Sequence, residues 1–410
     1  MNNFRHLSLG VLVSLLLAAC GSDSSPPPAT PEDQSGHSSS ASSEPPLDDI
    51  PRAEFEHTLE WDLSASLNAL EAGVVADDGT DQTDALNAAV DQVYDDQGLD
   101  TLYIPEGVYR VAGNLRPRAG VNIVGDGIGK TVLVRNNPDG YLVAAARDRD
   151  LADVVIAKLS LHNPVRTVLL QNVSNLAFRE VEFHGGLVRF EGSSYVTIDS
   201  SLFLENQASA AYSSDQCEHM TLTNNTFNSI VDGSINLSRH SHSYVANNTI
   251  TADHVIQSGY AGIRLPNNAH NNLVENNTIT NHGRGLFVLS SSTHNTLRNN
   301  VVDTTAYQGV FIEASDNVFE GNTVINAGDE AFLVQDAVAE SSPTPSIADR
   351  NVIRDNIIED TRAMGGERNY GLRIYGDNNT VTGNSVSTEF GRICKDIGAT
   401  NTESDNVCVE

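Results

Sequence analysis

Residues 271–281 read NNLVENNTITN, and the cadence of an Asn, one residue and then an apolar side chain returns along the chain. It stands at NNTF (Asn225), NNTI (Asn248), NNTI (Asn277), NNVV (Asn300), GNTV (Asn322), DNII (Asn356) and GNSV (Asn384). The gaps between these Asn are 23, 29, 23, 22, 34 and 28 residues. A period of 22 to 23 with insertions is too short for a helical hairpin repeat. It fits one coil of a solenoid made of short strands. Each coil alternates apolar and polar residues, as in NTVTGNSVS, between Asn, Gly and Ser punctuation. Stacking puts the same apolar column inward every time, and the repeated Asn can form a ladder that satisfies backbone groups at the corners.

The repeat resembles the right-handed parallel β-helix of pectate lyases and their relatives, an all-β fold. The N-terminal part is similar to the entrance of the pectate-lyase/glycosidase superfamily. It has ADDGTDQTDALNAAVDQ, then TLYIPEGVYRV, then VNIVGDGIGKTVLV. A capping helix is expected from about Asp81 to Tyr94, started by Thr80 or Asp81, with Ala85, Leu86, Ala89 and Val90 plugging the open core. Gly125-Asp126-Gly127 reads as a coil-closing turn, since nothing of a phosphate loop follows it.

Outward from the repeat, the chain opens on MNNFRHLSLGVLVSLLLAAC, a basic start and a short apolar run, which reads as an export leader. Leu17-Ala18-Ala19-Cys20 resembles a bacterial lipobox, which implies lipid on Cys20 and, with Gly21 following, an outer-membrane lipoprotein. Residues 20–55 are a Ser/Pro/acid-rich tether. Residues 56–100 then form the N-terminal cap, 101–390 the β-helix, and 391–410 a C-terminal cap or tail. Cys394 and Cys408 can pair in an oxidising compartment, and Cys217 stands alone. A formal charge of −30 argues against a nucleic-acid partner and gives any Arg cluster a need for explanation.

One strand per coil can be aligned as LVRFE, SINLS, GIRLP, GLFVL, GVFIE, AFLVQ and GLRIY. With Val188, Ile235, Ile263, Leu286, Val310, Phe332 and Leu372 inward, the outward column is Arg189, Asn236, Arg264, Phe287, Phe311, Leu333 and Arg373. The next outward column includes Glu191, Glu313 and Tyr375. Arg, aromatic and His residues on a strand face suit an anionic polysaccharide: rings stack on pyranoses, and Arg binds carboxylate or sulfate bidentately. Arg189, Tyr212, His242, His282, Arg284, Tyr307, Arg373 and Tyr375 are therefore expected to bind substrate. Insertions after Asn248, Gln335 and Asp360 can wall the groove, and Asp329, Glu330 and Asp336 read as solvated turns.

The segment DGSINLSRHSHSYVANNTI, followed by GIRLPNNAHNNLVENNTI, resembles the chondroitinase B and alginate lyase family of polysaccharide lyases. The matching positions are Arg239-His240, the Asn248 step, Gly262-Ile263-Arg264 and His270. The resemblance implies an Arg near the leaving oxygen, a Lys base on the preceding coil, and Ca²⁺ neutralising the uronate. That coil reads AAYSSDQCEHMTL and has no Lys. Arg239, His240, Tyr260 and Arg264 are the expected catalytic set, and Glu191 or Asp215 the carboxylates placed to hold a cation. Lyase and C5 epimerase need the same groups. Two other readings stand beside them: a non-catalytic glycan- or partner-binding envelope protein, and a polygalacturonase-like hydrolase using Asp215 and Asp232.

Overall fold

The computed structural model describes residues 61–145, 150–228, 230–338, 345–362 and 369–410; the leader, Cys20 and the tether lie outside them. Each coil supplies up to three short strands, all paired in parallel with the coils before and after it. They stack into three faces of a β-helix. The first runs from Ser66–Asn68 through Thr101–Ile104 to Thr402–Ser404, and the second from Gly107–Arg110 to Val407–Val409. The third has 11 strands, from Val143–Ala144 through Leu187–Glu191 and Ala261–Leu265 to Ile393–Ile397. Ala152–His162 and Ser174–His184 are 11 residues each and bend from the first face onto the second.

The dipeptide ahead of each Thr-Ile step has two separate jobs. Its first residue is left-handed: Asn224, Asn247, Asn276, Asn299, Gly321, Asp355, Gly383 and Asp405 have φ between 53° and 66°. Asn, Asp and Gly are the residues that enter that region at least cost. Its second residue is buried and builds the ladder. The backbone N–H and Nδ2 of Asn225, Asn248, Asn277, Asn300, Asn322, Asn356 and Asn384 each donate to Oδ1 of the next Asn at 2.8–3.1 Å, ending on Asn406. A second ladder, Asn272, Asn295, Asn317, Asn351, Asn379 and Asn401, runs up the corner between the third and first faces. Its spacing is interleaved with the first, so the sequence alignment passed over it.

Between the ladders, one apolar core runs the length of the coils. The N-terminal end is closed by the helix Thr83–Asp95, which buries Leu86, Ala89, Val90 and Val93. Asp81 anchors its start: Oδ1 accepts the Thr83 N–H at 3.0 Å and the Ala112 N–H at 2.9 Å. The other end is closed by polarity. Lys395 stacks on inward Leu372 and Glu403 on inward Val381, and the two are ion-paired at 2.7 Å. Beside them Cys408 stacks on Val386 and is disulfide-bonded to Cys394. Residues 391–410 are thus a last coil that carries its own lid. Cys408→Ser opens a loop of sequence separation 14 and is expected to weaken this coil by about 3 kcal/mol. Hydrogen exchange should accelerate over 393–409 and not in earlier coils; unchanged exchange there contradicts the assignment.

Candidate functional site

Strand pairing fixes which side chains share the third face. Arg189, Ser213, Asn236, Arg264, Phe287, Phe311, Leu333 and Arg373 are successive register partners, with Val188, Ile235, Ile263, Leu286, Val310, Phe332 and Leu372 buried behind them. The expected register is the observed one. Glycine sets where this face begins. A Cβ at Gly262 would lie 2.5 Å from Ile279 Cγ2, and one at Gly285 2.4 Å from Val302 Cγ1, so the backbone turns the corner pressed against the second face.

The face divides into two halves of different chemistry. Towards the C-terminal coils, Ala261, Phe287, Leu289, Phe311 and Leu333 form an apolar strip separate from the core. Phe287 and Phe311 stack with centroids 4.7 Å apart and are nearly covered, so they make a floor rather than a sugar platform. The exposed rings are Tyr260 (39%) and Tyr375 (48%). Half-buried Arg264 lies over Tyr260 and Phe287, with Cζ 5.4 and 5.7 Å from the centroids. Its guanidinium has no hydrogen bond or ion pair among the described residues, although burial lowers its pKa. Arg284 beside it donates Nε–H to Gln308 at 2.9 Å and Nη1–H to the Gly259 carbonyl, and lies over Phe287, Tyr307 and Phe311. It too has no carboxylate partner among the described residues. Residues 251–260 therefore do reach the face, whereas the insertions after Gln335 and Asp360 fall partly outside the described residues.

Two carboxyl groups on this half were given no part in binding or chemistry by the sequence. Half-buried Glu313 sits where burial raises its pKa, with a hydrogen bond from Gln335 and the charges of Arg284 and Arg264 opposing that shift. Glu330, expected in a solvated turn, is buried. It accepts from Arg373 Nη1 at 2.8 Å and from Gln308 Nε2 at 2.9 Å. Arg373 also donates to the Tyr375 hydroxyl at 2.6 Å. Arg284, Gln308, Phe311, Glu330, Leu333, Gln335, Arg373 and Tyr375 line a depression of about 340 Å³. Glu313 shares the outward phase of Arg264, whereas Gln308 and Arg284 each precede an outward Phe by three residues, where alternation alone would turn them inward.

The N-terminal half is already neutralised. Arg189 pairs with Glu191 at 2.7 Å, and Arg239 takes both oxygens of Asp215. A Ca²⁺ ion needs six to eight oxygens with uncommitted charge. Glu191 and Asp215, the carboxylates expected to hold a cation, are each met by a guanidinium here. A corner depression of about 430 Å³ includes Arg239, Glu218 and His270, yet its one arginine is the one committed to Asp215. His242 also points to this corner, in a stack of Tyr195, His219 and His242 with centroids 4.7 and 5.3 Å apart, away from Arg264's half of the face.

Three further expectations are corrected by burial. Tyr212 occupies the inward column in register with Val188 and Ile235, and burial raises its hydroxyl pKa well above 10. His240 (0% exposed) turns inward at the corner, where Nδ1 meets Ser243 Oγ at 3.1 Å and Nε2 has no partner among the described residues. His282 lies under Gly262, with Nε2 3.3 Å from Ser234 Oγ. Burial pushes His240 down to about 3 and His282 to about 4, from 6.5. Neither touches the face.

These two shifts have a sign. Each ring stays neutral when folded and takes a proton on unfolding below pH 6.5, so stability is full above that value and is lost toward pH 3–4. At pH 4.5 the loss is about 2.5 kcal/mol per histidine. His240→Gln should remove its share, seen as a smaller drop in urea midpoint between pH 7 and 4.5. An unchanged drop contradicts the buried-neutral assignment.

Comparison with known proteins agrees with this architecture. The family model described as "Right handed beta helix region" matches residues 128–250, 188–342 and 253–406. The chain is similar to Mannuronan C5-epimerase AlgE1 of Azotobacter vinelandii, 36% identical over 98 residues, covering 19% of this chain and 7% of that relative. It is similar to Alginate lyase 7 of the same organism, 40% identical over 73 residues, covering 16% and 8%. The matches therefore span under a tenth of either relative's length. Among solved structures, the A-module of the A. vinelandii Mannuronan C-5 epimerase AlgE6 superimposes with a TM-score of 0.66 over 84% of this chain and 99% of its own, at 18% identity. That likeness is one of fold.

Proposed function

The chain belongs to the right-handed β-helix region family, and from that premise we propose that it acts on a polysaccharide bearing uronate carboxylates, by β-elimination or by inversion at C5. One observation carries the reading. On a chain of net charge −30, Arg264 presents a guanidinium wedged between Tyr260 and Phe287 that no acceptor among the described residues occupies, with Arg284 beside it. A planar carboxylate is the complement of that fork. The names of the relatives, an alginate lyase and mannuronan epimerases, support the same substrate class.

The roles follow from the chemistry of the C5 proton. It becomes acidic when the neighbouring carboxylate is neutralised, which is the part of Arg264 and Arg284. Tyr260 lies against the guanidinium of Arg264 and, in a chain without the Lys of the related lyases, is the group placed to exchange that proton. Glu313 also lies within electrostatic reach of Arg264, and its raised pKa suits a carboxyl that passes a proton. It can deliver the proton to the leaving oxygen in a lyase, or return one to C5 in an epimerase. Tyr375 and Tyr307 extend the surface on which further sugar rings rest.

Incubation with alginate, pectate and glycosaminoglycans tests the reading. The expected result is absorbance near 235 nm from an unsaturated uronate, or an inverted C5 signal in ¹H NMR, with at least one polymer. Binding without any product leaves only the glycan-binding alternative, and reducing ends without absorbance indicate hydrolysis. For location, Leu17-Ala18-Ala19-Cys20 supports a lipid anchor. Metabolic palmitate labelling that Cys20→Ala abolishes is the matching test.

A further inference from the structure

We propose that His162, Glu182 and His184 form a binding site for a divalent transition metal such as Zn²⁺, on the second face and apart from the arginine-bearing half of the third. The strands Ala152–His162 and Ser174–His184 are adjacent and in register, with Ser160 beside Glu182 and His162 beside His184. Glu182 Oε1 therefore faces two imidazoles at once, His162 Nε2 at 3.1 Å and His184 Nδ1 at 3.2 Å, and the three potential ligand atoms all lie within 4.8 Å of one another. Two ligands on a tetrahedral ion with bonds of about 2.0–2.1 Å are about 3.3 Å apart, so little movement would seat the ion.

The hydrogen count favours an ion there. Besides Glu182, His184 meets a second carboxylate, with Nε2 3.3 Å from Glu205 Oε2. A neutral imidazole has one N–H and can serve only one of these acids. A metal on Nδ1 removes the conflict: Nε2 keeps the proton and donates to Glu205, while Glu182 binds the ion. A carboxylate behind a ligating His is the usual support for such a ring. Ser160 Oγ donates to Glu182 Oε2 at 2.8 Å, which fixes the carboxylate plane. His162 and His184 are about one-third exposed, which leaves an entry path and room for a water as fourth ligand. Imidazole donors suit a borderline metal such as Zn²⁺ rather than Ca²⁺ or Mg²⁺. An ion here ties two coils together, away from the groups assigned to polysaccharide chemistry.

The test is titration of the tag-free protein with Zn²⁺, and with Co²⁺ as a coloured probe. The expected results are one ion per chain with micromolar or tighter affinity, visible Co²⁺ bands of a four-coordinate site, and a raised melting temperature. His162→Ala with His184→Ala should weaken binding at least 100-fold, and Glu182→Gln about 10-fold or more, while Ca²⁺ gives no shift. The absence of saturable binding, or binding that survives the double substitution in a variant with native circular dichroism, overturns the proposal. The cluster would then be a hydrogen-bonded group of the second face without metal. Because Arg264 plays no part, failure here leaves the polysaccharide reading intact.

Discussion

Arg264→Ala is expected to lower kcat/KM on the responsive uronate polymer by 100- to 1,000-fold, on the order of losing one donor to a developing charge. The melting temperature should hardly move. The guanidinium donates to nothing among the described residues, so its removal leaves no protein acceptor unpaired; only its packing on Tyr260 and Phe287 is lost. Arg264→Lys should recover part of the rate, since it restores the charge without the planar fork. The comparison with Arg373→Ala is diagnostic. That change strips Glu330 of its ion pair and should cost stability as well as rate, because a buried carboxylate is left unpaired. An Arg264→Ala variant that turns over substrate normally removes the present assignment of the site.

Asn300→Ala is expected to be among the most destabilising single changes in the chain, by about 3–5 kcal/mol. Asn300 Oδ1 accepts both the backbone N–H and Nδ2 of Asn277, and its Nδ2 donates to the Val274 carbonyl and to Asn322. The substitution orphans a buried N–H and a buried carbonyl at one corner, each at about 1–3 kcal/mol. Its neighbour is the control. Asn299 is exposed at φ 53°, where Gly is equally at ease, so Asn299→Gly should change stability by less than about 1 kcal/mol. Urea midpoints measure both. Similar losses at 299 and 300 contradict the division of labour within the Asn-Asn step.

That division explains why the fold was legible. A ladder requires the same side chain at the same corner of every coil, so the physics writes a repeat directly into the sequence. The register of the third face was legible too, since alternation through LVRFE or GLRIY leaves one solution once Val188 and Leu372 are placed inward. The corners were not. His240 and His282 sit where the chain turns, and there the two-residue alternation resets, so counting on from Ile235 to His240 or from Ile279 to His282 gives the wrong side. Tyr212 is a different failure: its place in register with Val188 and Ile235 pointed inward, but its hydroxyl suggested chemistry. Glu191 was placed on the face and Asp215 is its register partner, yet sequence could not reveal that Arg189 and Arg239 fold back onto them. Glu330 was assigned to solvent because acids usually go there, and only the coil of Arg373 explains its burial.

The central claim is that the face around Arg264 and Arg284 recognises a carboxylate on a sugar chain. The most direct measurement compares binding of a uronate oligosaccharide with that of the same oligosaccharide after reduction of its carboxylates to alcohols. Two arginines with no carboxylate partner among the described residues predict at least a 100-fold preference for the acid form, weakened by salt and lost in Arg264→Ala. Equal affinity for the two, or a preference that persists without Arg264, would contradict it.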